Sequence, residues 1–215
     1  MYSKERKVEN KWEEFAKNFE TSNNYVVGIK DIKRVKQRLK KHTDVGAMLE
    51  LGCGNGTYTE CFVEQAERIV ATDLSQPMLE VSKIRFENEP KVIVEQADCF
   101  ALRYEDNSFD TVFMANLLHV IPNPVSALEE CLRVLKPGGQ LIGVSFTLHN
   151  MNCFNKLRLK YRYWRKYGFK SNNTAVMTPV LAHELAATAG FQDVSTEMHG
   201  KRVKAVYFTA FKLDE

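Results

Sequence analysis

The residue types best suited to chemistry stand in one short stretch, Leu49-Glu50-Leu51-Gly52-Cys53-Gly54-Asn55-Gly56-Thr57, directly after an apolar run. Glycines at alternate positions open backbone angles closed to other residues and let a ligand lie against bare main chain. The spacing is GxGxG with Glu50 ahead of it. A nicotinamide-binding fingerprint needs GxGxxG, and Thr57 stands where its third glycine would be. A nucleotide-like ligand is therefore expected, and an NAD-dependent oxidoreductase is disfavoured. Asp73 ends the next apolar run, where a carboxylate can accept hydrogen bonds from both hydroxyls of a ribose. Asp98 follows a third run and can receive the exocyclic amine of an adenine, with Leu74 and Met78 offering apolar faces to the base. For Asp98 alone, an ordinary loop or capping aspartate is the competing reading.

Such groups converge only if particular elements carry them. Ala47 to Leu51, Arg68 to Asp73, Lys91 to Glu95, Phe109 to Ala115 and Gln140 to Phe146 read as strands, several apolar enough for burial on both faces. Helices are predicted between them over Thr57 to Gln65, Gln76 to Phe86 and Asn123 to Leu135. The last has Asn123 as N-cap, Pro124 at its first position and Lys136-Pro137-Gly138-Gly139 to stop it. This alternation predicts an α/β fold with a mostly parallel sheet, helices on both faces and ligands at the carboxyl ends of the strands. Ahead of it, Trp12, Phe15, Ala16 and Phe19, then Ile29, Ile32, Val35 and Leu39, predict two amphipathic helices. Behind it, Thr178 and Pro179 start a helix carrying Leu181, Leu185 and Ala189, and Val194 to Met198 and Val203 to Phe211 predict an antiparallel terminal hairpin.

The segments LELGCGNGTYT, ATDLSQPML, EQADCFALRYEDNSFDTVFMANLLHVIPNP and LEECLRVLKPGGQLI, in that order, resemble the class I S-adenosylmethionine-dependent methyltransferases. Within them the resemblance is to the small-molecule group that includes the ubiquinone and menaquinone methyltransferases. It covers residues 47–146 and implies a Rossmann-like, seven-stranded, mostly parallel sheet with an antiparallel C-terminal edge hairpin. S-adenosylmethionine is the implied cofactor. Carried over, the resemblance implies that Glu50 and Gly52 hold the methionine end, with Cys53 in the same loop, while Gly54 and Gly56 pass under the cofactor. Asp73 would then bind ribose, Asp98 and the Cys99 amide would recognise adenine beside Leu74 and Met78, and Asn116 would sit beside the methyl group. The implied organisation is an N-terminal helical lid over 1–45, a cofactor-binding core over 46–146, a basic and aromatic insertion over 147–180, and a helix and strands over 181–215 that complete the same domain.

A sulfonium methyl is already activated, so transfer mainly requires a nucleophile held in line with water excluded. Where a general base is needed, His119, His149 and Tyr25 are candidates by location, and a packed structural histidine is an equal reading of His119. The five cysteines and five histidines show no paired metal-ligand spacing, so no metal is expected. The stretch 155–170, NKLRLKYRYWRKYGFK, mixes basic and aromatic residues and could meet an anionic headgroup, a carboxylate substrate, a membrane surface or single-stranded nucleic acid. It could equally be a helix packing Leu157, Tyr161 and Trp164 on the sheet. The formal net charge is only +3, which disfavours a nucleic-acid methyltransferase, and 44% hydrophobic residues exclude a wholly disordered chain. The charge is segregated: residues 46–130 carry 15 acidic and 5 basic side chains, residues 131–183 carry 9 basic and none acidic. No apolar run reaches the roughly 18 residues of a membrane span. With no signal-peptide pattern and reduced thiols, a cytoplasmic enzyme acting on a small, anionic or lipophilic acceptor is expected. A non-catalytic subunit that only binds the cofactor is the remaining alternative.

Overall fold

The computed structural model describes residue 16 and residues 18–168 and 175–214, so Trp12 and Phe15 of the predicted N-terminal stripe lie outside the described residues. Seven strands form one sheet: β1 (Gly46–Leu51), β2 (Ala66–Asp73), β3 (Val92–Gln96), β4 (Phe109–Ala115), β5 (Leu135–Thr147), β6 (Gln192–His199) and β7 (Lys204–Phe211), in the order β3-β2-β1-β4-β5-β7-β6. The first five run parallel. β7 inserts antiparallel beside β5 and leaves β6 at the edge, so the terminal hairpin is present as expected. The order reverses at β1, whose neighbours are β2 and β4, and this is where a crevice forms at the carboxyl ends.

Alternating side chains divide the core between two faces. Leu49, Leu51, Val112 and Met114 point to the side covered by α3 (Pro124–Val134) and α5 (Pro179–Thr188), where Leu128, Cys131, Ala182 and Ala186 are buried. Met48 and Phe113 point to the other, covered by α1 (Ile29–Leu39) through Val35 and Leu39, and joined there by Leu79 of α2 (Gln76–Arg85). The helix starts follow the expected chemistry. Asn123 Oδ1 accepts from the Ser126 amide and Thr178 Oγ1 from the Leu181 amide, each with proline at the next position.

Three expectations need correction. Residues 57–65 form no helix, only a single 3-10 turn at Thr59–Cys61 among looser turns. The Thr57-Tyr58-Thr59 run is poor in helix propensity, and burial of all three side chains fixes the chain as i to i+3 turns. Ile29, expected on the buried face of α1, is exposed, while Ile32, Val35 and Leu39 are buried. A π-helical turn at Asn24–Gly28 precedes α1 and shifts the start of its stripe. The third correction concerns α4 (Cys153–Tyr167). Leu157, Tyr161 and Trp164 are exposed, and Leu159, Tyr163 and Tyr167 pack instead against Val26, Val27 and Val203. This helix has two apolar stripes, and spacing alone cannot say which one is covered.

One buried carboxylate ties the N-terminal helix to the far end of the sheet. Asp31 accepts from the amides of Lys201, Arg202 and Val203 in the β6–β7 turn at 3.0, 3.3 and 3.0 Å, and from Arg34 at 2.6 Å. Burial alone would raise its carboxyl, but these donors outweigh burial and hold it below its ordinary value. A depressed carboxyl contributes its full stability above its unfolded value, and loses it as the pH falls through the folded one. Asp31→Ala is therefore expected to destabilise the protein by roughly 2 to 4 kcal/mol at pH 7. In urea titrations the gap to wild type should shrink steadily as the pH is lowered past the ordinary carboxyl value of 3.8; a gap independent of pH would refute this role.

Candidate functional site

The carboxyl ends of β1, β2 and β4 open into a cavity of about 1840 Å³. Its sheet-side wall is the glycine loop with Asp73, Met78 and Asn116. The opposite wall comes from Phe19, Asn23, Val26 and Val27 ahead of α1, and from Leu159, Tyr163, Trp164 and Tyr167 of α4. Both flanks of the parallel core thus border the same space.

The loop is shaped by hydrogen bonds to the neighbouring strand. The Cys53 amide donates to the Thr72 carbonyl at 2.8 Å, and the Gly54 amide donates to Asp73 Oδ2 at 2.8 Å. Asp73 Oδ1 accepts from the Ser75 amide at 2.8 Å, which sets the entry to α2. Gly54 and Gly56 both have left-handed backbones, with φ of 56° and 77°, yet they do different work. A Cβ on Gly54 would meet nothing within 4 Å and would project into open space. A Cβ on Gly56 would run into the Phe86 ring and Ser82, so that glycine is required by packing against the end of α2.

Charge beneath the loop is unusual. Glu50 is buried, and its two oxygens have no hydrogen-bond partner among the described residues. Burial pushes its carboxyl up to about 8; the Thr59 hydroxyl opposes the rise and the nearby Asp73 carboxylate adds to it. Burial likewise raises the Cys53 thiol, helped by Glu50 and Asp73. Cys99 is pushed up to about 11, by burial first and then by Asp98. Neither thiol is an activated nucleophile.

Of the residues expected at the site, Gly52, Cys53, Gly54, Asp73, Met78, Asn116 and His119 line the cavity, and Glu50, Gly56, Leu74, Asp98 and Cys99 do not. Leu74 is exposed, and Asp98 Oδ1 accepts from the Phe100 amide at 3.0 Å. Asn116 has a left-handed backbone, and its Oδ1 accepts from the Phe146 amide at 2.9 Å, bridging the ends of β4 and β5. Among the three candidate bases, only His119 reaches the cavity. His149 is exposed beyond β5, and the Tyr25 ring lies under the Arg162 guanidinium at 5.3 Å, so both are corrected to positions outside the site. Among the described residues no cluster of three or more His, Cys, Asp and Glu side chains could hold a metal ion.

Tyr58 was missed. Its buried phenol lines the cavity; burial raises the hydroxyl, and the side chains of Asn116 and Asn23 oppose the rise. Its position directly behind the glycine loop was the available signal, obscured by the helix predicted there. Asn23 and Phe19 carried no signal that distinguishes them from other residues on an amphipathic segment.

Residues 49–143 match the family model described as a methyltransferase domain. A demethylmenaquinone methyltransferase from Clavibacter sepedonicus is 36% identical over 100 residues, 46% of this chain and 41% of that protein. The chain spans less than half the length of the first curated relatives it matches. Among solved structures, an S-adenosylmethionine-dependent methyltransferase from Aquifex aeolicus superposes with a TM-score of 0.65 at 18% identity, over 89% of this chain and 93% of that one. The [4+2]-cyclase SpnF does so with 0.68 at 19% identity, over 84% and 81%. The chain thus has the Rossmann-like fold of these solved structures, and its residues 49–143 are similar to a methyltransferase domain. In sequence it resembles the demethylmenaquinone methyltransferases.

Two outcomes follow from the loop. Gly54→Ala should melt close to wild type, about 1 kcal/mol less stable from its left-handed backbone, whereas Gly56→Ala should lose roughly 2 kcal/mol or more through its clash with Phe86. Equal losses in thermal melts would contradict the division of labour. Glu50 gives a pH test with a definite sign. An acid whose folded value lies above its unfolded one holds an extra proton when folded, so stability falls as the pH rises from about 4.5 to about 8. Glu50→Gln, which stays neutral, should show a flatter dependence of melting temperature on pH across that window.

Proposed function

We propose that the protein is an S-adenosylmethionine-dependent methyltransferase, transferring a methyl group to oxygen, nitrogen or carbon of a small acceptor by in-line displacement. The observation that carries this reading is the open space over the Gly54 backbone beside the Asp73 carboxylate. It is a cradle that any side chain at Gly54 would enter. S-adenosylmethionine supplies an activated methyl on a sulfonium, so this chain's residues need only bind, orient and exclude water.

Asp73 uses one lone pair of each oxygen on the Gly54 and Ser75 amides and keeps others for ribose hydroxyls. The Asp73 carboxylate, which lines this end of the cavity, makes it favourable to a cation. The carbonyl of Asn116 is taken by Phe146, which leaves its side-chain amide to face the methionine moiety. Asp98 and the Cys99 amide, with Leu74 and Met78, are the residues proposed to meet adenine, although only Met78 lines the cavity. His119 is the candidate base for an acceptor that must lose a proton. The segments before β1 and after β5 act as lids, closing over the cofactor and building the acceptor pocket. That pocket is lined by Val26, Val27, Phe146, Leu148 and Tyr163, with Lys160 and Lys166 at its edge, which suits a lipophilic acceptor bearing an anionic group. The free cysteines, three of them buried, suit the reducing cytoplasm.

Calorimetry tests the cofactor. Asp73→Ala should weaken S-adenosylmethionine binding by roughly 10- to 100-fold, the loss of charge-assisted hydrogen bonds, while circular dichroism remains native. Unchanged affinity, or tighter binding of NAD by the wild type, would overturn the reading. Hydrogen exchange tests the lids: S-adenosylhomocysteine with acceptor should slow exchange in both 10–45 and 150–175. Protection confined to 50–100 would show those flanks to be ordinary packing.

A further inference from the structure

The outward face of α4 is apolar where a solvated helix face should be polar. Phe154, Leu157, Tyr161 and Trp164 are 71%, 70%, 52% and 49% exposed. Their spacing of three, four and three places them in a stripe about 80° wide, opposite the packed Leu159, Tyr163 and Tyr167. At the same 100° per residue, Arg158, Arg162 and Arg165 border one side of the stripe and Lys160 the other. None of the ion pairs among the described residues involves a side chain of α4. No acidic residue occurs between 131 and 183. Trp164 also lines the cavity, as do the half-exposed Val120 and Val176, so the stripe runs into an apolar rim around the cavity mouth.

We propose that α4 docks the protein on an anionic lipid surface, with Phe154, Leu157, Tyr161 and Trp164 entering the headgroup boundary and the flanking arginines and lysine meeting lipid phosphates. An apolar stripe bordered by basic side chains has the chemistry of an interfacial helix. A second copy of this chain does not fit, because a twofold contact through this face would set arginines against arginines. A single nucleic-acid strand fits less well. Leu157 offers no stacking face, and the acidic 46–130 segment would repel a polyanion extending past the helix, whereas a flat leaflet touches one face only. Under the proposed methyltransfer, which this last consequence rests on, docking would set the cavity mouth against the leaflet and let a lipophilic acceptor enter without crossing water.

Co-sedimentation with vesicles of phosphatidylglycerol and phosphatidylcholine, against phosphatidylcholine alone, tests the docking. The full chain should bind the anionic vesicles, release them at high salt, and shift its tryptophan emission, from Trp12 and Trp164 together, to the blue. Leu157→Ser/Tyr161→Ser and, separately, Arg158→Glu/Arg165→Glu should each weaken vesicle binding about ten-fold or more. None of these four side chains lines the cavity, so affinity for S-adenosylhomocysteine should stay at the wild-type value and report an intact fold. Absence of binding to anionic vesicles would overturn the proposal, as would variants that bind like wild type. A dimer dispersed by Leu157→Ser/Tyr161→Ser, or an oligonucleotide complex lost in it without vesicle binding, would assign the face to another partner. Vesicle binding without any cofactor binding would instead sink the methyltransferase reading and leave the docking standing.

Discussion

The hydrogen bond from the Gly54 amide to the Asp73 carboxylate is the contact on which the site depends. It joins the turn after β1 to the end of β2, two neighbours in a parallel sheet whose carboxyl ends would otherwise carry independent loops. Because Asp73 also holds the Ser75 amide, one side chain fixes both the glycine turn and the start of α2. A left-handed backbone at Gly54 is the conformational consequence, and the open space above it is the spatial one. The charge needs no counter-ion within the loop, since two main-chain amides already stabilise it.

The same geometry explains why Glu50 is tolerated. A buried carboxyl without hydrogen bonds is costly when ionised, and a raised proton affinity lets it remain neutral over most of the physiological range. It sits on β1 between β2 and β4, opposite Ala71 and Phe113, where an apolar residue would pack without that cost.

What could be read from residues alone follows from how local the determining physics is. The strands were legible because continuous apolar runs such as Ile69 to Ala71 and Val112 to Met114 have few other ways to be buried, and the caps at Asn123 and Thr178 are decided within four residues. Asp73 was legible as a carboxylate at the end of β2. Its bond to Gly54 was not, since that depends on the register of two strands. Tertiary choices were hidden in the same way. Nothing in the sequence around Asp31 announces three amides donated from residues 201 to 203. The covered stripe of α4 was not legible, because Leu157-Tyr161-Trp164 and Leu159-Tyr163-Tyr167 are equally good helical faces, and only the placement of Val26 and Val27 chooses between them.

The two walls of the cavity therefore differ in kind. The sheet-side wall is built from strand ends and main-chain amides whose positions follow from the register of β1, β2 and β4, and it varies little unless the fold does. The other wall comes from helices attached at either end of that core, held by the apolar contacts of Val26, Val27, Leu159, Tyr163 and Val203 and by the Asp31 tie. Such contacts accept side-chain exchange at modest cost. A scaffold of this kind can keep one wall of the cavity constant while the other is rebuilt, which is how one fold comes to host different reactions. Under the proposed methyl transfer, specificity would then be sought in Tyr58, His119 and the α4 side chains that face the cavity, because the glycine loop would meet the cofactor and not the acceptor.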